Sequence, residues 1–203
     1  MLWFMRADNS AAVEYVLTYC EAKVSRYPSQ PQGCYFRSRR YQDTVGSPVQ
    51  GWNLAAELST GDILMMIADD YYPPVGWDSS VRRELQDPWR EAVLWVRNLI
   101  HKGDGSTDRF DDGNMCHPIF TRSYYRRYGY FLHPAYYARA SDNEFTEKAV
   151  RDGVIIDARE RLAFFHEAEE ANRNIIDRHP RDAETWQARK KAGYPEDWKP
   201  WQP

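Results

Sequence analysis

Gly61-Asp62-Ile63-Leu64-Met65-Met66-Ile67-Ala68-Asp69-Asp70 is the stretch that decides the fold. Its five consecutive apolar residues are too few for a helix of ordinary length and show no polar alternation, which is the signature of a strand covered on both faces. The run ends at two carboxylates. A strand of this kind places them just outside its carboxyl end, where open α/β sheets bind their ligands.

Upstream, residues 52–58 read as a short helix stopped by Gly61 and preceded by a loop with Gly46, Pro48 and Gly51. Cys34-Tyr35-Phe36 reads as an earlier strand, trailing into the basic Arg37-Ser38-Arg39-Arg40. Before it, Ser10 caps an expected helix over residues 11–25, with Val13, Val16, Leu17, Cys20 and Val24 on one face. The chain opens with Leu2-Trp3-Phe4-Met5, a short apolar strand running into a polar loop that contains Asp8. Strand, helix, strand, helix, strand predicts right-handed crossovers and an α/β fold, a Rossmann-like, mostly parallel sheet sandwiched by helices. Asp8 and the pair Asp69 and Asp70 then converge on one crevice.

Downstream, Pro73-Pro74 forces an extended turn and Trp77–Leu85 reads as a helix with Asp78 in its first turn. Residues 92–100 form the next expected strand, followed by a Gly- and Asp-rich loop over residues 102–108. Residues 115–120 read as a strand, 121–128 as a short helix, and 142–150 as a longer one. Two strands follow, 154–156 and 162–165, the second ending at His166. The remainder is charged and reads as a helix over residues 167–192 with a Trp/Pro tail. The expected division is therefore a domain over residues 1–170 and a C-terminal helical extension and tail over residues 171–203.

Composition narrows the function classes. In 203 residues, 42% are hydrophobic and the net charge is −3, which argues against general disorder and gives no global electrostatic case for nucleic-acid binding. No apolar run approaches the roughly 18 residues of a membrane span. Cys20, Cys34 and Cys116 are odd in number and widely spaced, so neither a disulfide framework nor a zinc motif is indicated. A reduced, cytoplasmic protein is the expectation. Neither a Gly-x-x-x-x-Gly-Lys-Ser/Thr loop nor a Gly-x-Gly-x-x-Gly turn is present. Aromatic residues reach 15%, enough to serve both a core and a cleft with flat faces for sugars or bases.

The stretch from Gly51 to Asp70 resembles the inverting nucleotide-sugar glycosyltransferases of family 2, which have the GT-A fold. The matching parts are Asn53 on a helix, Gly61-Asp62, the apolar strand, and Asp69-Asp70. Further parts follow in order: Pro73-Pro74-Val75-Gly76-Trp77-Asp78, His117-Pro118-Ile119-Phe120-Thr121-Arg122, Gly129-Tyr130-Phe131, Asp142-Asn143-Glu144-Phe145 and Phe164-Phe165-His166. The resemblance covers residues 1–170. It departs from the family in two places. Ala68 stands where many relatives carry the first acid of the metal motif, and Leu2-Trp3-Phe4-Met5 looks like the family's second strand rather than its first. An abbreviated variant, a fragment, or completion of the sheet by another chain (a homo-oligomer) would each account for the latter.

The resemblance implies transfer of a sugar from a nucleotide-diphosphate sugar to an acceptor hydroxyl, with Mn²⁺ or Mg²⁺ as cofactor. The acceptor is open: a glycan, lipid, protein or modified nucleic acid base. Hard divalent cations prefer carboxylate and phosphate oxygens. Asp70 is the implied metal ligand, Asp69 contacts the ribose or the metal through water, and His166 adds a late metal ligand or touches the diphosphate. Asp8 and Asn53 fall on the nucleotide side. Trp77 offers a stacking face, or packs in the core. Asp142 is the candidate general base, with Glu144 as its alternative. Plainer roles stay open for each: a solvated turn for Asp69 and Asp70, an N-cap or Asx-turn for Asp8, an N-cap for Asp142 and a core-edge histidine for His166. The competing functional reading is a catalytically degenerate GT-A-like module that binds carbohydrate or a partner.

Overall fold

A computed structural model of the chain describes residues 2–5, 13–16, 47–67, 71–101, 107–109, 113–166 and 181–196. In chain order the elements are β1 (Leu2–Met5), β2 (Val13–Val16), α1 (Pro48–Leu58), β3 (Ile63–Met66), β4 (Tyr71–Tyr72), α2 (Trp77–Leu85), β5 (Val93–Trp95) and β6 (Arg97–His101). They continue as β7 (Thr107–Arg109), β8 (Ile119–Thr121), α3 (Arg122–Tyr128), α4 (Ser141–Arg151), β9 (Ile155–Asp157), β10 (Ala163–His166) and α5 (Arg181–Lys191). A six-stranded sheet has the order β2-β1-β3-β8-β5-β9, and a four-stranded sheet the order β4-β10-β6-β7. The class is mixed α/β, with a sheet flanked by helices.

β3 shows why its sequence is apolar throughout. Leu64 and Met66 enter one core cluster with Val49, Ala55, Ala56, Phe120, Tyr124 and Phe145, beneath α1, α3 and α4. Ile63, Met65 and Ile67 point the other way, into a cluster with Val81 and Leu85 of α2 and with Leu94, Ile119 and Phe164. Alternation along the strand thus feeds two cores, and no position is left for a polar residue.

Strand direction departs from the expectation of a mostly parallel sheet. Of the described pairings only β5 with β9 and β6 with β10 are parallel. β1 is antiparallel to both β2 and β3, and β8 is antiparallel to both β3 and β5. A strand buried on both faces carries the same apolar signal in either direction, so hydrophobicity could not reveal the sense. Because β8 opposes both neighbours, β3 and β5 still run the same way, together with β9. Each of these three is followed in the chain by a strand of the second sheet, β4, β6 and β10 respectively.

The helix expected over residues 11–25 is also corrected, since Val13–Val16 is strand β2 with Val16 opposite Leu2. Val-Glu-Tyr-Val is rich in β-branched and aromatic residues, and pairing with β1 outweighs the helical spacing of its valines. The expected strand over residues 34–36, the loop core at residues 102–106 and residues 167–180 of the expected last helix lie outside the described residues. The single strand expected over residues 92–100 is two: the chain leaves one sheet after Trp95 and enters the other at Arg97. The bend at Val96 is held by Ala158 N–H donating to Trp95 O at 2.9 Å and Arg97 N–H to Leu162 O at 3.0 Å. α1 begins earlier than expected because Ser47 is a working N-cap. Its hydroxyl accepts from Gln50 N–H at 3.1 Å, and Pro48 occupies the first turn, where its missing N–H costs nothing.

Candidate functional site

The reversed sense of β8 builds the site. Its first residues lie where β3 finishes, as Met66 N–H donating to Pro118 O at 3.1 Å records. His117, one residue earlier, therefore meets Tyr71, the first residue of β4. The two rings stack with centroids 3.9 Å apart and 18° between planes. On the second sheet, antiparallel pairing puts His166 of β10 opposite Tyr71. The His166 ring meets the edge of Tyr71 at 6.2 Å and of His117 at 5.4 Å. Phe164 stacks on Tyr71 at 5.3 Å, and Trp77 meets Phe164 edge-on at 6.3 Å. Two imidazoles thus share one phenol ring at the carboxyl ends of β3 and β10.

Tyr71 is a fixed, neutral platform. Its hydroxyl donates to Asn98 Oδ1 at 2.5 Å, and both residues are buried. Burial first, and the neighbouring Cys116 second, hold its phenol well above the usual tyrosine range.

Asp142 sits in the first turn of α4 and reaches the same segment from its other end. Asn114 donates through Nδ2 to Asp142 Oδ2 at 3.1 Å and also bonds Asn143 Oδ1. Met115 N–H donates to Thr146 Oγ1 at 2.8 Å, tying the segment to α4. Only three residue steps, at most about 11 Å of extended chain, separate Asn114 from His117. Asp142 also accepts from Asn143 N–H at 3.1 Å.

Glu144, the alternative base, has other work. It is 1% exposed, accepts from Arg189 Nε at 2.8 Å and Nη2 at 2.9 Å, and takes a third bond from the Tyr136 hydroxyl at 2.7 Å. Asn53 is likewise occupied within the fold. Its Oδ1 accepts from Phe131 and Leu132 N–H at 2.9 and 2.8 Å, and its Nδ2 donates to Leu132 O at 2.6 Å. Trp77 is half-buried against the cluster around Phe164. Asp8, Asp69 and Asp70 lie outside the described residues. Among the described residues, no group of three or more His, Cys, Asp and Glu side chains is placed to hold a metal ion.

His117, Tyr71 and Asn114 have no assigned role in the sequence reading. His117 lies in a motif that the reading singles out, His117-Pro118-Ile119-Phe120-Thr121-Arg122, but only the antiparallel sense of β8 brings it to this end of the sheet. Arg122, from the same motif, is spent on structure: Nε donates to Gly61 O at 3.0 Å and Nη1 to Ala56 O at 2.7 Å, beside β3.

No protein-family model matches the chain, and no curated protein matches it by sequence. Among solved structures, it is similar to the crystal structure of S. aureus TarS 1-349, a glycosyltransferase, with a TM-score of 0.53 and 13% identity. The match covers 71% of this chain and 47% of TarS 1-349, so the chain spans about half the length of that structure. At this identity the likeness concerns the fold. The fold is glycosyltransferase-like, an α/β architecture consistent with the GT-A type. Among the described residues, no helix is long and apolar enough to cross a membrane.

Proposed function

We propose that this chain is an inverting, metal-dependent glycosyltransferase of the family 2 kind, which moves a sugar from a nucleotide-diphosphate donor to an acceptor hydroxyl. One observation carries the reading. Tyr71, peptide-bonded to Asp70, is the register partner of His166 and the stacking partner of His117. The acid-ended strand, the late histidine and the His-Pro motif, distant in sequence, are neighbours at the carboxyl end of β3. The TarS-like fold supports transferase chemistry at the coarse level.

Carboxylate and diphosphate oxygens suit Mn²⁺ or Mg²⁺, and Asp70, with His166 as a late ligand or diphosphate contact, would hold the ion. Such an ion supplies countercharge to the departing diphosphate. The chain's own part is to orient and to move one proton. Asp142 takes the proton of the acceptor hydroxyl as that oxygen bonds to the anomeric carbon. The bond from that carbon to the phosphate oxygen breaks on the opposite side, and its electron pair leaves with the nucleoside diphosphate. The Asn114 amide donates to Asp142 Oδ2 and the Asn143 N–H to Oδ1, so both oxygens of the carboxylate are oriented from within the fold. Tyr71, neutral and pinned to Asn98, keeps both imidazoles in place.

Calorimetric titration with UDP and GDP tests the reading. Wild-type protein should bind one of them more tightly with Mn²⁺, and Asp70→Ala should lose that dependence. Equal, metal-independent binding by both proteins removes the mechanism. Hydrolysis of the matching nucleotide sugar in Mn²⁺ then separates an enzyme from a module that binds without turnover.

A further inference from the structure

We infer that Asp182, on the C-terminal helix α5, is a positioning residue for Asp142; the inference rests on the reading of Asp142 as the proton acceptor. Asp182 is 3% exposed and lies in the first turn of α5. Its Oδ1 accepts from Tyr137 N–H at 2.9 Å, and its Oδ2 from Ala138 N–H at 2.9 Å and Arg139 N–H at 2.7 Å. Three consecutive backbone donors thus close on one carboxylate. Such charge-assisted bonds are short and directional, and they fix the path of the chain.

That path runs directly into α4. The next residue, Ala140, is its N-cap and takes the left-handed conformation at φ 56°, unusual for a residue with a side chain. The Ser141 hydroxyl turns back to donate to Ala138 O at 3.1 Å, and Asp142 follows. α4 has no side-chain cap of its own. The direction in which its first turn presents Asp142 is therefore set by the preceding loop. At its far side the loop is held by the three Asn53 bonds to residues 131 and 132, and in its middle by Val49 N–H donating to Tyr137 O at 3.2 Å. Asp182 grips the end nearest Asp142. The same helix holds α4 itself through the Arg189 pair with Glu144, so α5 clasps both the helix and its approach.

The test uses full-length protein and Mn²⁺-dependent hydrolysis of UDP-glucose, UDP-N-acetylglucosamine and GDP-mannose, whichever the wild type turns over. Asp182→Asn, which presents amide hydrogens to backbone donors, should lower kcat at least tenfold while the donor KM stays within about twofold. Asp182→Glu, which keeps the charge but carries it on a longer stem, should also lower kcat, by a smaller factor than Asp182→Asn. In an Asp142→Asn background, Asp182→Asn should cost nothing further, because the group it positions is already disabled. Circular dichroism confirms that each variant is folded. If Asp182→Asn fails to fold, Asp182→Glu decides: a kcat loss absent from the Asp142→Asn background supports the role, and unaltered kinetics overturn it. An unchanged kcat in Asp182→Asn, or an equal loss in both backgrounds, overturns the inference and leaves the proposed function standing. Absence of donor hydrolysis by wild-type protein, or full activity of Asp142→Asn, overturns the parent reading and this inference with it.

Discussion

Two regions of the molecule are crowded with ionisable and aromatic side chains, and they are built on opposite principles. In the seam between α4 and α5, the described charged side chains find hydrogen-bonding or ionic partners within the fold. Glu144 is closed by Arg189 and Tyr136, and Lys148 pairs with Glu196 at 2.8 Å, donates to the Tyr130 hydroxyl at 2.6 Å and lies over the Tyr128 ring. The Tyr194 hydroxyl donates to Glu147 at 2.5 Å. At the strand ends, two imidazoles share one phenol ring beside a chain segment bearing two acids. A buried carboxylate with three donors is spent on the fold, whereas the two imidazoles are set by stacking and edge contacts around one buried ring. Glu144 and Asp142 stand two residues apart in sequence, yet Glu144 is closed by Arg189 and Tyr136 within the seam while Asp142 bonds Asn114 of the segment that leads to His117.

The comparison breaks most visibly if the seam carries little stability. Arg189→Met keeps the aliphatic stem but leaves Glu144 buried without its cation. Uncompensated charges of this kind cost about 3–5 kcal/mol, the largest single effect expected here. Replacing both partners, Glu144→Leu with Arg189→Met, should restore at least half of that loss, since a well-packed apolar pair can match a buried ion pair. Urea denaturation of the single and double variants gives the answer. A loss below about 1 kcal/mol in Arg189→Met would mean that the seam is solvated.

The seam and its surroundings also predict an alkaline limit. Burial, aided in most cases by hydrogen bonds to Asp152, Glu196, Glu144 or Glu147, raises the phenols of Tyr124, Tyr128, Tyr130, Tyr136 and Tyr194. The folded state then keeps these protons after the unfolded chain has lost them. Their stabilisation is whole below about pH 10 and falls as pH rises beyond it. Lys148 works in the opposite sense, because burial lowers its pKa and the folded state releases that proton first. Five phenols against one ammonium decide the sign. The urea midpoint should drop steeply above about pH 10, with tyrosinate absorbance appearing together with unfolding; gradual titration of these tyrosines in folded protein would contradict it.

The sequence made the seam and the strand ends legible to different degrees, for physical reasons. Periodicity found β3, α2 and α3 within a residue or two, because each has one clear apolar pattern and a recognisable start, such as Thr121 capping α3. His166 at the end of β10 was legible for the same reason. Strand direction was not, and with it went His117, which joins the site only through the antiparallel entry of β8. Asn53 and Glu144 show a second limit. Both occupy motif positions, yet their partners lie 79 and 45 residues away, and no local pattern announces a hydrogen bond to a distant backbone or to a guanidinium.

The smallest effect tests the strand-end region alone. Tyr71→Phe removes one hydroxyl from a ring that keeps its stacking on His117 and Phe164. It leaves Asn98 Oδ1 buried without the hydrogen it accepts, a cost of about 1–2 kcal/mol, below that of breaking the seam. If Tyr71 serves as a platform, ring and not hydroxyl matters to the imidazoles, so Mn²⁺-dependent nucleotide binding should change less than threefold while the urea midpoint falls. Tyr71→Leu, which keeps apolar volume but loses the flat face, should weaken that binding at least as much as His166→Ala does. A Tyr71→Phe protein with wild-type stability and abolished binding would reverse the assignment, making the phenol a ligand-contacting group and the two regions alike in kind.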